Sequence, residues 1–266
     1  MIANFHTHTV FCDGKNTPDE IVRYAIEKGF AAIGFSGHGY TEYDLRYCMK
    51  DTEGYIAEIN ALKDKYKDKI QIYLGIEEDA FSPVDRKQFD YIIGSCHYFC
   101  IDGRYYPIDS NFDYFTKCLE AFNYDALKLA ETYYRSFCSY IKTRKPDIIG
   151  RFDEITKFDE MDSFRFSHNP EYNKIAEKYV TEAAKNNCIF EVNTGSVSRG
   201  VRSTPLPNEN LLYTLKKLDA RLILSSDSHQ IETLDFGFEE AKRHLKDIGF
   251  DYLYTLFDGS FVKYEI

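Results

Sequence analysis

The chain predicts an α/β fold, a parallel barrel of about seven strands with a metal site at the C-terminal ends of the strands. Three observations carry this. Short apolar runs alternate with helical patterns, the order that builds a parallel sheet. Seven of those runs end on a side chain suited to binding metal or phosphate. The C-terminal tail then reads as a hairpin instead of a further strand–helix unit. In a βα-barrel the carboxyl ends of the strands open onto one active-site face, so seven such endings converge.

The elements follow in order. Ile2 to Phe5 leads into His6-Thr7-His8. Thr17 makes an N-cap and Pro18 suits the first helical position of a helix over 19–28. Ala31 to Phe35 leads into Ser36-Gly37-His38, and Asp51-Thr52-Glu53 opens a helix to about Lys65 with Tyr55, Ile59 and Leu62 on one face. Ile70 to Ile76 leads into Glu77, and Tyr91 to Gly94 into Ser95-Cys96-His97. Residues 113–143 read as one long helix or a pair, stopped by Pro146. Ile148 to Gly150 leads into Arg151-Phe152-Asp153, and Pro170 opens a helix to Asn186. Ile189 to Val192 leads into Asn193, a helix follows over 207–218, and Leu222 to Ser225 leads into Ser226-Asp227-Ser228-His229. Phe238 to Ile248 is the last helix, before a hairpin around Asp258-Gly259. No linker or repeat interrupts this order, which predicts one domain over residues 1–266. The stretches 39–51 and 98–112 read as long loops, of the kind that shape specificity above a barrel.

Composition narrows the function. A net charge of −10 with no basic run argues against a nucleic-acid polymer or an anionic membrane as partner. It leaves room for a small anionic substrate, because metals and a few arginines reverse the potential locally. The seven cysteines include no C-x-x-C pair. With no leader and no apolar run near the ~18 residues of a membrane span, they predict a reduced cytoplasmic protein. The 22 tyrosines and 21 phenylalanines are expected mainly in the core, with some lining a pocket for a flat or apolar group.

The candidate chemistry lies at the strand ends. His6 and His8 are two apart on a strand and so point to one face, able to reach one ion. Asp13 follows in the next turn, as a ligand or as an orienting partner for a histidine. His38 lies between two glycines, where backbone can approach a ligand closely. Glu77 is the choice for a carboxylate bridging two ions, with Glu78 and Asp79 expected in solvent. His97 ends another strand, and Asp227-x-His229 repeats the two-residue spacing. Eight candidate ligands are too many for one ion and suit two or three divalent ions. Their nitrogen and oxygen donors favour Zn, Mn or Fe. Cys96 and Cys100 are expected as core thiols, and His168 and His244 as surface or structural residues.

These motifs resemble the PHP (polymerase and histidinol phosphatase) family: His6-x-His8-Thr9, Ser36-Gly37-His38, Gly75-Ile76-Glu77, Gly94-Ser95-Cys96-His97 and Asp227-Ser228-His229, in order along essentially the whole chain. Gly94 to Phe99 and Glu191-Val192-Asn193-Thr194 are similar to its histidinol-phosphatase branch. The resemblance implies a distorted (β/α)7 barrel, up to three metals, and hydrolysis of L-histidinol phosphate to L-histidinol and phosphate in histidine biosynthesis. It further implies that His6, His8, Glu77 and Asp227 hold one ion, that Glu77 and His97 hold a second, and that His38, His229 and Asp13 surround a third. Two positions depart from the family pattern, where Asp13 and Arg151 stand in place of histidines. An arginine at 151 supplies a cationic fork for phosphate, and Arg199 and Arg202 are expected to complete the grip. His38, oriented by Asp13, is the candidate proton donor to the leaving group. Asp153 and Glu154 are acidic candidates for the substrate amine, and nothing in the sequence selects one. The alternatives are a phosphoesterase acting on nucleotides or another small phosphomonoester, an idle metal-binding scaffold, and an amide or lactone hydrolase. The last of these commonly uses a strand-end lysine that is not found here.

Overall fold

In the computed structural model, which describes residues 2–161 and 166–266, the apolar runs become strands of one largely parallel sheet. In chain order the strands are β1 (Ala3–Asn4), β2 (Ala32–Phe35), β3 (Gln71–Asp79), β4 (Tyr91–Ser95), β5 (Tyr98–Ile101), β6 (Arg104–Pro107), β7 (Ile148–Ile149), β8 (Ile189–Asn193), β9 (Leu222–Ser225), β10 (Tyr252–Phe257) and β11 (Ser260–Glu265). The sheet order is β1-β2-β3-β4-β7-β8-β9-β10-β11. Every pairing is parallel except the β10–β11 hairpin. Just beyond β1 and β9, Thr7 and Ser228 form a parallel bridge, with His8 N donating to Ser228 O at 2.8 Å and Ser228 N to His6 O at 3.1 Å. Asn4 reinforces it, donating to Ser226 Oγ at 2.8 Å.

The helices are α1 (Pro18–Glu27), α2 (Thr52–Tyr66), α3 (Phe112–Ala121), α4 (Ala126–Arg144), α5 (Pro170–Ala184), α6 (Gly195–Ser198), α7 (Glu209–Lys217) and α8 (Phe238–Ile248). Thr17 and Glu20 form a reciprocal capping box at the start of α1, with Pro18 in the first turn. The 113–143 segment is a pair of helices. Asn123 and Tyr124 take positive φ, and the Asp125 side chain caps α4 by accepting from Lys128 N. Helix α7 opens at Glu209, two residues later than expected, because the Asn208 side chain accepts from Leu211 N and fixes the cap there. The 98–112 stretch is not simply a loop. Strands β5 and β6 form a hairpin turning through Asp102 and Gly103, both at positive φ. Among the described residues, no helix is long and apolar enough to cross a membrane.

One interior cluster sets the site's depth. Phe5, Ala32, Tyr73, Tyr91, Ile93, Ile148, Ile189, Ile223 and Leu256 pack together, drawn from successive strands of the sheet. Tyr91 is its centre and is 1% exposed, so its hydroxyl needs partners. It donates to Phe5 O at 2.6 Å, which pins the residue before His6. The ring is admitted by Gly34 and Gly75, where a Cβ would overlap it. Helices α1 and α2 cover one flank of the sheet with a second apolar cluster. The remaining long helices cover the other with a third.

Candidate metal centre

The strand ends bring seven of the sequence-predicted ligands to one cluster: His6, His8, His38, Glu77, His97, Asp227 and His229. Asp13 joins from the turn after β1, with Oδ2 3.3 Å from His229 Nε2 and 3.8 Å from His38 Nε2. Two of the residues at this face, Arg151 (φ 35°) and Asp227 (φ 48°), sit in the left-handed region. That conformation costs a non-glycine residue about 1–3 kcal/mol and persists only where surrounding contacts impose it. For Arg151 one such contact is its own N–H, which donates to Glu191 Oε2 at 3.1 Å.

The proton positions follow from the partners. A neutral imidazole has one N–H and one lone pair. His6 Nδ1 lies 2.6 Å from Glu191 Oε1, His8 Nδ1 lies 3.4 Å from Asp13 Oδ1, and His97 Nδ1 lies 3.3 Å from Asp79 Oδ2. His229 Nδ1 faces the Asp227 carbonyl at 3.0 Å. In its neutral form each of these rings therefore carries its proton on Nδ1 and turns the Nε2 lone pair into the cluster, where that of His97 meets Arg151 Nη2. His38 differs. Its Nδ1 faces Glu77 Oε2 at 3.0 Å and its Nε2 faces Asp13, with no partner outside the cluster among the described residues.

The buried polar atoms left without a hydrogen bond are informative. They include His6 Nε2, His8 Nε2, Glu77 Oε2 and Asp227 Oδ1. His6 Nε2 is 3.3 Å from Glu77 Oε2 and 3.5 Å from Asp227 Oδ1, and His8 Nε2 is 3.6 Å and 3.0 Å from the same two atoms. Ligands placed tetrahedrally around zinc at ~2.1 Å are about 3.4 Å apart. Four orphaned donors at that spacing fit a cation, and leaving them unpaired in the interior is otherwise unfavourable. Two further groups, Glu77 with His38 and His97, and His8 with Asp13, His38 and His229, are close enough to hold ions as well.

Both carboxylates are divided between two tasks. Asp227 Oδ2 accepts from Arg151 Nη1 at 2.7 Å and Arg199 Nη2 at 2.9 Å, and Oδ1 faces the histidines. Glu77 Oε1 accepts from Ser95 Oγ at 2.6 Å and Arg151 Nη2 at 2.7 Å and lies 3.2 Å from His97 Nε2, and Oε2 faces His6, His8 and His38. Burial opposes ionisation of both. The positive charges still win: Arg151, His6 and His97 hold Glu77 well below the usual carboxylate range, and Arg151, Arg199 and His6 do the same for Asp227. Burial, with His229 and His38 nearby, pushes His8 down and keeps it neutral. Burial also opposes charge on His6, but Glu191, Glu77 and Asp227 push its pKa up to about 10.

Several expectations are corrected. Arg202 is not brought to the cluster: its Nη1 donates to Thr156 O and its Nε to Thr204 O, tying two loops together. Glu78 and Asp79 are not in solvent but are 1% and 4% exposed. Glu78 is held by Arg144 and Tyr140, and Asp79 by Tyr43, Phe81 N and His97 N. Cys96 is buried as expected, but Cys100 is exposed because it lies on the outer face of the β5–β6 hairpin's first strand. Asp153 is buried under Asn208. Glu154 lies beside Arg151 and Lys157, with Oε2 3.6 Å from Arg151 Nε and Oε1 3.2 Å from Lys157 Nζ. Glu191 is a site residue to which the motifs assign no role. Its signal is a charged side chain inside the apolar run Ile189-Phe190-Glu191-Val192.

An α/β fold with a mostly parallel sheet and a cluster of buried imidazoles and carboxylates at its strand ends defines a candidate metal-dependent enzyme. The chain belongs to the PHP domain family, whose model matches residues 4–195. It is 25% identical over 94% of its length to a probable histidinol-phosphatase of Schizosaccharomyces pombe, covering 87% of that protein. It is 24% identical over 88% of its length to the histidinol-phosphatase of Bacillus subtilis, covering 96% of it. A solved structure of histidinol phosphate phosphatase from Lactococcus lactis, complexed with zinc, L-histidinol and phosphate, matches with a TM-score of 0.73 at 22% identity over 98% of both chains.

Proposed function

We propose that this protein is a metal-dependent phosphomonoesterase that hydrolyses L-histidinol phosphate to L-histidinol and phosphate in histidine biosynthesis. The observation that carries it is the near full-length likeness to histidinol-phosphatases from a yeast and a bacterium, joined to a ligand cluster in which two arginines clamp the same carboxylate. The chain is one domain over 1–266, a distorted (β/α)7 barrel. In support, the Thr7–Ser228 bridge links the first strand's end to the ninth's, and one interior cluster gathers residues around the sheet. A cytoplasmic setting fits seven free thiols. The partner is a small phosphomonoester, and the net charge of −10 disfavours a nucleic-acid polymer.

Two or three divalent ions, Zn, Mn or Fe, belong to this proposal. His6, His8, Glu77 and Asp227 would hold the first, Glu77 with His97 the second, and His229 and Asp13, with or without His38, the third. Bound there, such ions supply the positive charge and the acidity that phosphoryl transfer to water requires. Arg151 and Arg199 bind the phosphoryl oxygens, where charge redistributes as the ester bond breaks. Their hold on Asp227 Oδ2 fixes both guanidiniums in place before substrate arrives. His38 donates a proton to the departing alkoxide oxygen. It suits this role because neither ring nitrogen is tied outside the cluster. Burial opposes its charge, but Glu77 and Asp13 outweigh that and raise its pKa.

Phosphate release from L-histidinol phosphate, nucleotides and sugar phosphates, with and without chelator and added Mn or Zn, tests this. A chelator-sensitive preference for L-histidinol phosphate is expected. Turnover of nucleotides in its place would retain the metal site and discard the biosynthetic role.

A further inference from the structure

Beside the cluster lies a cavity lined by the aspartates Asp13, Asp44, Asp79 and Asp109 as well as Glu77. Three of the aspartates are already engaged. Asp13 faces the rings of His8, His38 and His229. Asp44 accepts from Arg46 N and Nε on Oδ1 and from Arg46 Nη2 and the Tyr98 hydroxyl on Oδ2. Asp79 accepts from the Tyr43 hydroxyl and Phe81 N on Oδ1 and from His97 N on Oδ2. Asp44 and Asp79 are thus hydrogen-bonded and Asp13 is enclosed by three imidazoles, whereas the Asp109 carboxylate has neither a hydrogen bond nor a histidine nitrogen within 4 Å among the described residues. Lys157 Nζ is 3.8 Å from Asp109 Oδ2, too far for a hydrogen bond. That ammonium donates instead to the Asp109 carbonyl at 2.8 Å and pairs with Glu154 Oε1 at 3.2 Å. Lys157 is thus shared between Glu154 and Asp109, and the Asp109 carboxylate, 18% exposed and without a hydrogen bond, remains open to the cavity.

The residues on either side of it are tethered. Ile108 N donates to His97 O at 2.9 Å, so the residue before Asp109 is bonded to the backbone of a candidate ligand. On the other side the Ser110 hydroxyl meets the Tyr47 hydroxyl at 3.2 Å. Burial works against a charge on Asp109, but Lys157, His97, Arg151 and His38 hold its pKa down. In L-histidinol phosphate the amine sits on the carbon next to the one bearing the ester oxygen. A partner for that amine must therefore stand beside the phosphate subsite and not at the outer rim. We propose that Asp109 is a specificity-determining residue that receives the ammonium group of the substrate, an inference that rests on the function proposed above.

The test compares kcat/KM of the parent and Asp109→Asn on L-histidinol phosphate and on its desamino isostere, imidazolylpropyl phosphate. Removing a charged partner from an ammonium is expected to lower kcat/KM on the amine-bearing ester about 10- to 100-fold, mainly through KM. The desamino ester should change less than about threefold in the same variant, which also shows that it folds, and Asp109→Glu should recover part of the loss. Equal losses on both esters, or none on either, overturn the assignment. If the parent cleaves neither imidazole ester but does cleave simpler ones, the histidinol phosphate proposal fails. The same ratio is then read on phosphoethanolamine against ethyl phosphate. An ammonium preference lost in Asp109→Asn upholds the carboxylate's role, and its absence overturns it. No phosphomonoester cleavage by the metal-loaded parent removes both proposals.

Discussion

Glu191→Gln is nearly isosteric, yet it disturbs the hydrogen-bond pattern behind His6. Three donors face the two Glu191 oxygens: His6 Nδ1 at 2.6 Å on Oε1, and Arg151 N at 3.1 Å and Asn193 Nδ2 at 3.0 Å on Oε2. A glutamine offers one acceptor oxygen and one donor NH2. If its oxygen serves Arg151 and Asn193, the amide points a donor at His6 Nδ1. That nitrogen must then accept, the ring proton moves to Nε2, and the lone pair aimed at the ion is lost. If the amide turns over, two buried donors lose their acceptor. Either way the first ion loses a well-oriented ligand. Outer carboxylates of this kind typically contribute 10- to 100-fold in metal affinity, about 1.4–2.8 kcal/mol. Zinc or manganese affinity, measured by competition with a chromogenic chelator, should fall by that factor. Affinity within about threefold of the parent, in a variant that melts normally, would refute the proton assignment at His6.

Four further outcomes are expected. Arg151→Ala should lower turnover of the phosphate ester about 10²–10³-fold, and Arg202→Ala should leave it near the parent; turnover of Arg151→Ala within a factor of a few of the parent rules out its phosphate role. Metal-free protein at neutral pH should carry a second proton on His6, on Nε2, because Glu191, Glu77 and Asp227 push its pKa up to about 10 against burial, so metal uptake should release it. Calorimetry in buffers of different ionisation enthalpy detects this, and buffer-independent heats would contradict it. Burial pushes the Asp153 carboxyl from 3.8 up to about 6 despite Arg202. The folded state then holds that proton more tightly than the unfolded state, so ionisation weakens the fold as pH rises from 3.8 past 6. Asp153→Asn should gain stability relative to the parent across that window, by roughly 3 kcal/mol, and parallel denaturation curves from pH 4 to 7 would disprove it. Gly75→Ala should destabilise by about 1–3 kcal/mol in a denaturant titration, because the added Cβ overlaps the Tyr91 ring.

That the cluster's histidines and carboxylates would share one face was legible in the sequence because it is local. A strand that ends in His6-x-His8 or Asp227-x-His229 turns both side chains to one face whatever the rest of the chain does. Capping signals are local too, and Thr17-Pro18 placed the start of α1 correctly for the same reason. What only the tertiary structure decided depends on partners far away in sequence. Glu78 and Asp79 look like surface carboxylates until Arg144, 66 residues on, and Tyr43, 36 residues back, arrive to satisfy them. Arg199 and Arg202 are indistinguishable in the sequence, three residues apart in one loop. Packing turns one toward Asp227 and the other toward Thr156. Glu191 finds its purpose in a hydrogen bond spanning 185 residues. Asp109 stands out among the cavity's aspartates only once the contacts of the other three are known. Residue type and spacing determine what a side chain can do. Which of its possible partners it meets is set by long-range packing, and a buried charge is stable only where packing has supplied that partner.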